Sequence, residues 1–186
     1  MSSRTVATII TALVLLTVLA LMLRSWRRRS KRDAALPAGY PQPADLGREL
    51  ASAAALYVAT TPRDTPLERL NIPGLGFRAR GGVSVFERGV LLELAGSPTL
   101  FIPTDAVQVV ADATVAIDRV VEPGGLLRLG WGLNTTPTDA PAHNVPEGVD
   151  SYFRFSDPVD RRAITEAISS TRAPGKTEFG TEESEV

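Results

Sequence analysis

Val83-Ser84-Val85-Phe86-Glu87-Arg88-Gly89-Val90-Leu91-Leu92-Glu93-Leu94 is the stretch that decides the fold. Two short runs rich in β-branched and aliphatic residues flank a break of three residues, Glu87-Arg88-Gly89. That pattern predicts an antiparallel hairpin, with the glycine ready for the left-handed position of a three-residue connection.

The β pattern continues outward on both sides. Upstream, Leu56-Tyr57-Val58-Ala59-Thr60-Thr61 reads as a strand ended by Pro62. A loop with Pro66, Pro73, Gly74 and Gly76 leads to a second strand over residues 75–80, turned by Gly81-Gly82. The alanine-dense residues 48–55 suggest a short helical turn before the first strand. Downstream, Leu100-Phe101-Ile102 and residues 106–114 read as two halves of one strand, bent at Pro103-Thr104-Asp105. Strands follow over residues 126–131, after the turn Glu122-Pro123-Gly124-Gly125, and over residues 151–155. A long polar loop of residues 134–148 separates them. Trp131, Tyr152, Phe153 and Phe155 fall at strand spacings and are expected in the core.

One helix closes the pattern. Asp157 is a good N-cap and Pro158 suits the first helical position. Val159, Ala163, Ile164, Ala167 and Ile168 form one apolar stripe, opposite Asp160, Arg161, Arg162 and Glu166. Pro174-Gly175 ends the helix, and the acidic residues 173–186 are expected to be disordered. Seven short strands followed by one amphipathic helix fit a small barrel or sandwich whose open corner the helix plugs.

The N-terminus has a different character. Residues 6–23 are uncharged and mostly apolar, and Arg24-Ser25-Trp26-Arg27-Arg28-Arg29-Ser30-Lys31-Arg32 follows at once. Eighteen residues make about 27 Å of helix, close to the hydrocarbon thickness of a bilayer. Thr8, Thr11 and Thr17 are tolerated because a helical threonine can bond back to the preceding turn. A cleaved secretory signal would need small residues near its end, where Leu21-Met22-Leu23-Arg24 stands. A buried core helix would need a polar face. The reading is a retained transmembrane helix within residues 1–32. Arg24, Trp26, Arg27, Arg28, Arg29, Lys31 and Arg32 lie at the membrane interface, as a stop and orientation signal. Six Lys or Arg after the run against Arg4 before it place the N-terminus outside and the remainder in the cytoplasm. Residues 33–49, with Pro37, Pro41 and Pro43, read as a linker. Residues 50–172 form the β domain.

Composition bounds the function. Residues 1–32 hold seven cations and no acid, which leaves thirteen Lys and Arg against twenty-one Asp and Glu beyond them, a net of −8. That balance argues against nucleic acid as a partner. With no cysteine there is no disulfide, thiol catalysis or zinc-thiolate site. His143 is the only histidine, in a proline-rich loop with no carboxylate or serine pattern, and reads as a solvated surface residue. Asp112 and Asp118 read as solvated rather than as an acid–base pair. No nucleophile elbow, P-loop or zinc-protease motif occurs. No enzyme activity, metal or cofactor is expected.

Six stretches carry a family resemblance. They are residues 56–61, Gly74-Leu75-Gly76-Phe77-Arg78, residues 83–89, Phe101-Ile102-Pro103, Gly124-Gly125-Leu126-Leu127 with Trp131, and Tyr152-Phe153-Arg154. The order resembles the pleckstrin-homology-like (PH-like) fold. In particular it resembles actinobacterial single-span membrane proteins that carry such a domain after an N-terminal helix. The long loop 134–148 departs from that pattern. The resemblance implies a mainly β protein: an N-terminal transmembrane helix, then a PH-like seven-stranded barrel or sandwich capped by a C-terminal α-helix. It also implies a membrane-anchored interaction module with an unknown membrane or cytoplasmic protein partner. Two alternatives stay open. One is an accessory subunit of a transport or envelope complex. The other is phospholipid headgroup binding, because lipid-binding members place cations at the first β-hairpin and Arg63, Arg78 and Arg80 hold the corresponding positions.

Overall fold

The protein is described from a computed structural model that covers residues 3–33, 36, 39–63, 65–113, 115–116, 119–120, 125–134, 146 and 148–172. His143, Asp118 and residues 173–186 lie outside the described residues.

Helix α1, Ser3–Asp33, carries the apolar run and continues without a break through the cations. Its stretch Val6–Arg28 is long and apolar enough to cross a membrane and is not buried against the rest of the chain. Thr11 and Thr17 donate their hydroxyls to the carbonyls of Ala7 and Leu13, so neither leaves a polar group unpaired along the apolar face.

A seven-stranded antiparallel sheet follows. Its strands are β1 (Glu49–Pro62), β2 (Ala79–Phe86), β3 (Gly89–Leu94), β4 (Leu100–Pro103), β5 (Val107–Ala113), β8 (Leu126–Trp131) and β9 (Val149–Phe155), in the order β4-β3-β2-β1-β9-β8-β5. β6 (Val115–Ala116) and β7 (Arg119–Val120) form a separate two-residue ribbon. β1 is the hinge of the sheet. Residues 49–57 pair with β2 and residues 55–62 pair with β9, and the register with β9 shifts at a bulge between Tyr57 and Ala59.

The main sheet has the seven strands expected from the sequence, but the partition differs. Residues 48–55 form no helical turn, because the backbone of β1 is paired with β2 from Glu49 onward. A short alanine run cannot nucleate a helix against a complete ladder. Gly81 and Gly82 are not a turn but the middle of β2, opposite Leu94 and Glu93. A Cβ at Gly81 would collide with the Glu93 carbonyl oxygen, so glycine marks a close backbone approach there. The connection between β2 and β3 is the two-residue Glu87-Arg88, since Phe86 pairs with Gly89. Gly89 is a strand residue crowded by Ile102 and the Phe101 ring, and among the described residues the left-handed glycines are Gly47, Gly74 and Gly96. β4 and β5 are not halves of one strand. A 3-10 turn, Thr104–Ala106, separates them and they lie at opposite ends of the sheet order.

Helix α2, Pro158–Thr171, begins as its sequence dictates, with the Asp157 carboxylate accepting from the Val159 N–H at 2.8 Å. Ile164, Ala167 and Ile168 are buried in the core, whereas Val159 is 67% exposed and Ala163 is exposed. At 100° per residue these two stand about 140° and 100° round the helix from Ile164, outside the narrow face that meets the sheet. The core holds Trp131, Phe153 and Phe155, and Tyr152 is buried with Leu126 in a second small cluster.

A polar chain crosses this core. The Trp131 indole N–H donates to Ser151 Oγ (3.0 Å), and Ser151 shares a hydroxyl bond with Thr60 (2.8 Å). Thr60 lies 2.9 Å from the Tyr57 hydroxyl, which is 2.7 Å from the Leu75 carbonyl. Proton counting fixes the direction. The carbonyl only accepts, so Tyr57 donates to Leu75, Thr60 donates to Tyr57, and Ser151 donates to Thr60. The hydroxyls of Tyr57, Thr60 and Ser151 are each satisfied in this way.

Candidate interaction surface

The two outer edges of the sheet are treated differently. The edge at β4 is covered by the chain that precedes β1. Leu36 is buried in the core, the Tyr40 N–H donates to the Phe101 carbonyl (3.0 Å), and the Tyr40 hydroxyl donates to the Gly132 carbonyl (2.9 Å). Burial, and after it the charge of Asp105, raises the Tyr40 pKa above its ordinary value. Further along, the Arg88 N–H donates to the Leu46 carbonyl and the Glu87 N–H to the Arg48 carbonyl. The ion pairs Arg88–Asp45 (3.2 Å) and Arg48–Glu87 (3.3 Å) fasten the same end. The segment read as a linker is therefore a strap, with Leu36 and residues 39–48 laid over β4 and its neighbours. Its signal was an aromatic, Tyr40, among prolines, which a free linker does not need.

The edge at β5 is different. Among the described residues no strand pairs with its outer side. Beside it runs α2, tied across by an ion pair between Arg161 and Asp112. Asp112, Arg161, Arg162, Thr165 and Glu166 line the cleft between the two elements. Arg161 is mostly covered and Asp112 about half exposed, so this pair orients the cleft wall more than it stabilises the fold. An open strand edge beside a cleft with charges of both signs can accept an extended backbone as an added strand.

The three arginines at the predicted headgroup site are not gathered in one place. Arg78 and Arg80 are exposed, on and just before β2. Arg80 lines a shallow cleft with Glu93, Ala95, Ser97 and Thr99. Arg63 turns the other way. Its N–H donates to the Gly148 carbonyl, and a Cβ on Gly148 would stand 2.7 Å from its Nη2. Close by, Asp150 is almost fully buried and pairs with Arg128 at 3.6 Å. The sequence reading missed this pair, although a carboxylate between Val149 and Ser151 in a strand was its visible sign. On α1, Arg24, Trp26, Arg27 and Arg28 are exposed, and Arg29, Lys31 and Arg32 continue the same helix. Among the described residues no three His, Asp or Glu side chains group as metal ligands.

A bent antiparallel sheet of seven strands, with a C-terminal helix packed on its core, defines a PH-like domain, a class made chiefly of binding modules rather than enzymes. Sequence comparison agrees: residues 34–169 match the Bacterial PH domain-like family, and the chain belongs to it. The matched region includes the strap as well as the sheet and α2. No curated protein matches the chain. Among solved structures, a chain of "The 8S snRNP Assembly Intermediate" is similar, with a TM-score of 0.46 and 9% identity over 78% of this chain and 97% of that one.

Proposed function

We propose that this protein is a non-catalytic interaction module held at the cytoplasmic face of a membrane by α1. Its β5 edge and the α2 cleft receive an extended segment of a membrane or cytoplasmic protein. The observation that carries the docking site is the asymmetry of the edges: the strap covers β4, while among the described residues no strand pairs with the outer side of β5 beside the cleft. The cation asymmetry about residues 6–23 supports the orientation, with Arg24, Trp26, Arg27, Arg28, Arg29, Lys31 and Arg32 at the inner headgroups.

A photo-crosslinking amino acid at Gln108 or Thr165 tests the docking site in the protein's own membranes. The expected result is one discrete adduct from these positions and none from Arg88 on the strapped side. Charge reversal by Arg162→Glu with Glu166→Lys is expected to weaken it, because the cleft presents both signs. Adducts of equal yield from Arg88 would refute the assignment.

A further inference from the structure

The outer face of the sheet, turned away from the core, is basic around one leucine. Leu56 on β1 lies between Arg80 of β2 and Arg154 of β9, each its direct cross-strand partner, so the three side chains share a face. Arg69 reaches the same stretch of β1, where its Nη2 donates to the Val58 carbonyl at 3.1 Å. Phe77-Arg78 lead straight into β2. Arg69, Arg78, Arg80 and Arg154 are all exposed, and no ion pair holds any of them among the described residues. Glu68 and Glu93 are the nearby acids, and Glu93 shares a shallow cleft with Arg80. Four cations against two acids leave the face positive, in a domain where residues 33–172 carry a net of −5.

An apolar pair stands beside these cations. Among the described residues outside α1, three large apolar side chains are mostly in water, Leu67, Phe77 and Val159, and two of the three belong to the connection between β1 and β2. That connection is fixed in place. Its Leu70 N–H donates to the Thr60 carbonyl, its Leu75 carbonyl accepts from Tyr57, and Leu70, Ile72 and Leu75 are buried.

The chain itself carries a segment of matching chemistry. Residues 173–186 hold Glu178, Glu182, Glu183 and Glu185 against Lys176, with one aromatic, Phe179. Reach permits a contact within one molecule. Pro158 follows Arg154 by four positions, about 14 Å at most, and α2 adds about 21 Å, so its last residue, Thr171, lies within about 35 Å of Arg154. Glu182 follows Thr171 by eleven positions, a span of up to about 40 Å.

We propose that the acidic segment 178–185 docks on this face of its own domain, with its carboxylates at the four arginines and Phe179 against Phe77 and Leu67. Exposed ion pairs of this kind are individually weak, and the covalent tether offsets that by an effective concentration on the order of mM. The docked segment closes the basic face to other acidic chains until a stronger polyanion displaces it. The contact uses neither the β5 edge nor the orientation of α1, so it stands or falls apart from the function proposed above.

The test uses the full chain in phosphatidylcholine nanodiscs, whose lipid carries no net charge. Because the protein has no cysteine, nitroxide pairs can be placed on Thr99→Cys with Thr181→Cys, or on Gln108→Cys with Thr181→Cys. Thr99 lines the shallow cleft that holds Arg80, and Gln108 lies on β5 at the edge of the sheet order. Distances are read by double electron–electron resonance with unlabelled chain in excess, so that only contacts within one chain register. The 99–181 pair should give one narrow population at low salt. High salt should abolish it, as should Arg80→Glu with Arg154→Glu. Adding Glu182→Arg and Glu183→Arg to that variant should restore it, a recovery that misfolding would not give. A broad 99–181 distribution indifferent to salt and to charge reversal overturns the proposal. A narrow 108–181 population in its place puts the segment at the β5 edge and also overturns it. So does a narrow 99–181 population that vanishes when unlabelled chain is added, which gives the face to a second copy.

Discussion

Tyr57→Phe removes one oxygen from the centre of the domain, and its cost can be worked from the hydrogen bonds. The Leu75 carbonyl loses its donor and the Thr60 hydroxyl loses its acceptor, both in the buried core. Stranding neutral polar groups in this way costs about 1–3 kcal/mol. For a domain of this size that lowers the melting temperature by about 4–10 °C. The same residue gives an alkaline signature. Burial raises the Tyr57 pKa far above its ordinary 10, although the Thr60 bond and the charge of Arg69 pull it down in part. Below pH 10 the tyrosine is protonated in both folded and unfolded chains, and its contribution is intact. As the pH rises past that value only the unfolded chain releases the proton, so stability falls. The loss is about 1.4 kcal/mol by pH 11, of which Tyr57→Phe is relieved. Tyr40, also raised, leaves a residual slope in both proteins. The assay is thermal unfolding of the full chain in nanodiscs, followed by tryptophan fluorescence, at neutral pH and again near pH 11. The expected result is a variant less stable at neutral pH and less sensitive to alkali. A variant matching the parent within about 1 °C at both pH values would refute the hydrogen-bond chain as drawn.

Two further predictions follow from the core and the ladder. Ser151→Ala should cost about 1–3 kcal/mol because the Trp131 indole N–H then has no acceptor; pairing it with Trp131→Phe in a double-mutant cycle should recover part of that loss, read as the change in urea midpoint. Gly81→Ala should cost about 2 kcal/mol or more, since its Cβ meets the Glu93 backbone, while Gly82→Ala, whose nearest neighbour is the Ala53 carbonyl at 3.8 Å, should stay within about 0.5 kcal/mol by the same measurement.

The sequence made the class of fold legible because β-branched runs and turn residues are local signals. The hairpin of β2 and β3, the Asp157 cap and the buried aromatics of β8 and β9 were all readable in this way. What it hid depends on contacts distant in sequence. The two glycines of β2 read as a turn because glycine usually serves turns, and only the closeness of the Glu93 backbone explains them. Alanine in β1 obeys its partner β2 rather than its own helical preference. The strap was hidden because prolines signal extended backbone but not what that backbone lies against. The candidate site was legible only in part. Asp112 on β5 and Arg161, Arg162 and Glu166 on α2 were visible as charges, but the cleft exists only once β5 ends the sheet beside α2. The arginine triplet had the spacing of a site, yet Arg63 leaves it for Gly148 on the far side of β1.

The central claim is that α1 crosses the membrane and leaves the β domain in the cytoplasm. Reporter fusions after Val186 test it most directly. The account predicts a fluorescent green-fluorescent-protein fusion and an inactive alkaline-phosphatase fusion, both retained in the membrane fraction after alkaline carbonate extraction. An active phosphatase with a dark fluorescent-protein fusion would place the domain on the opposite side and contradict it.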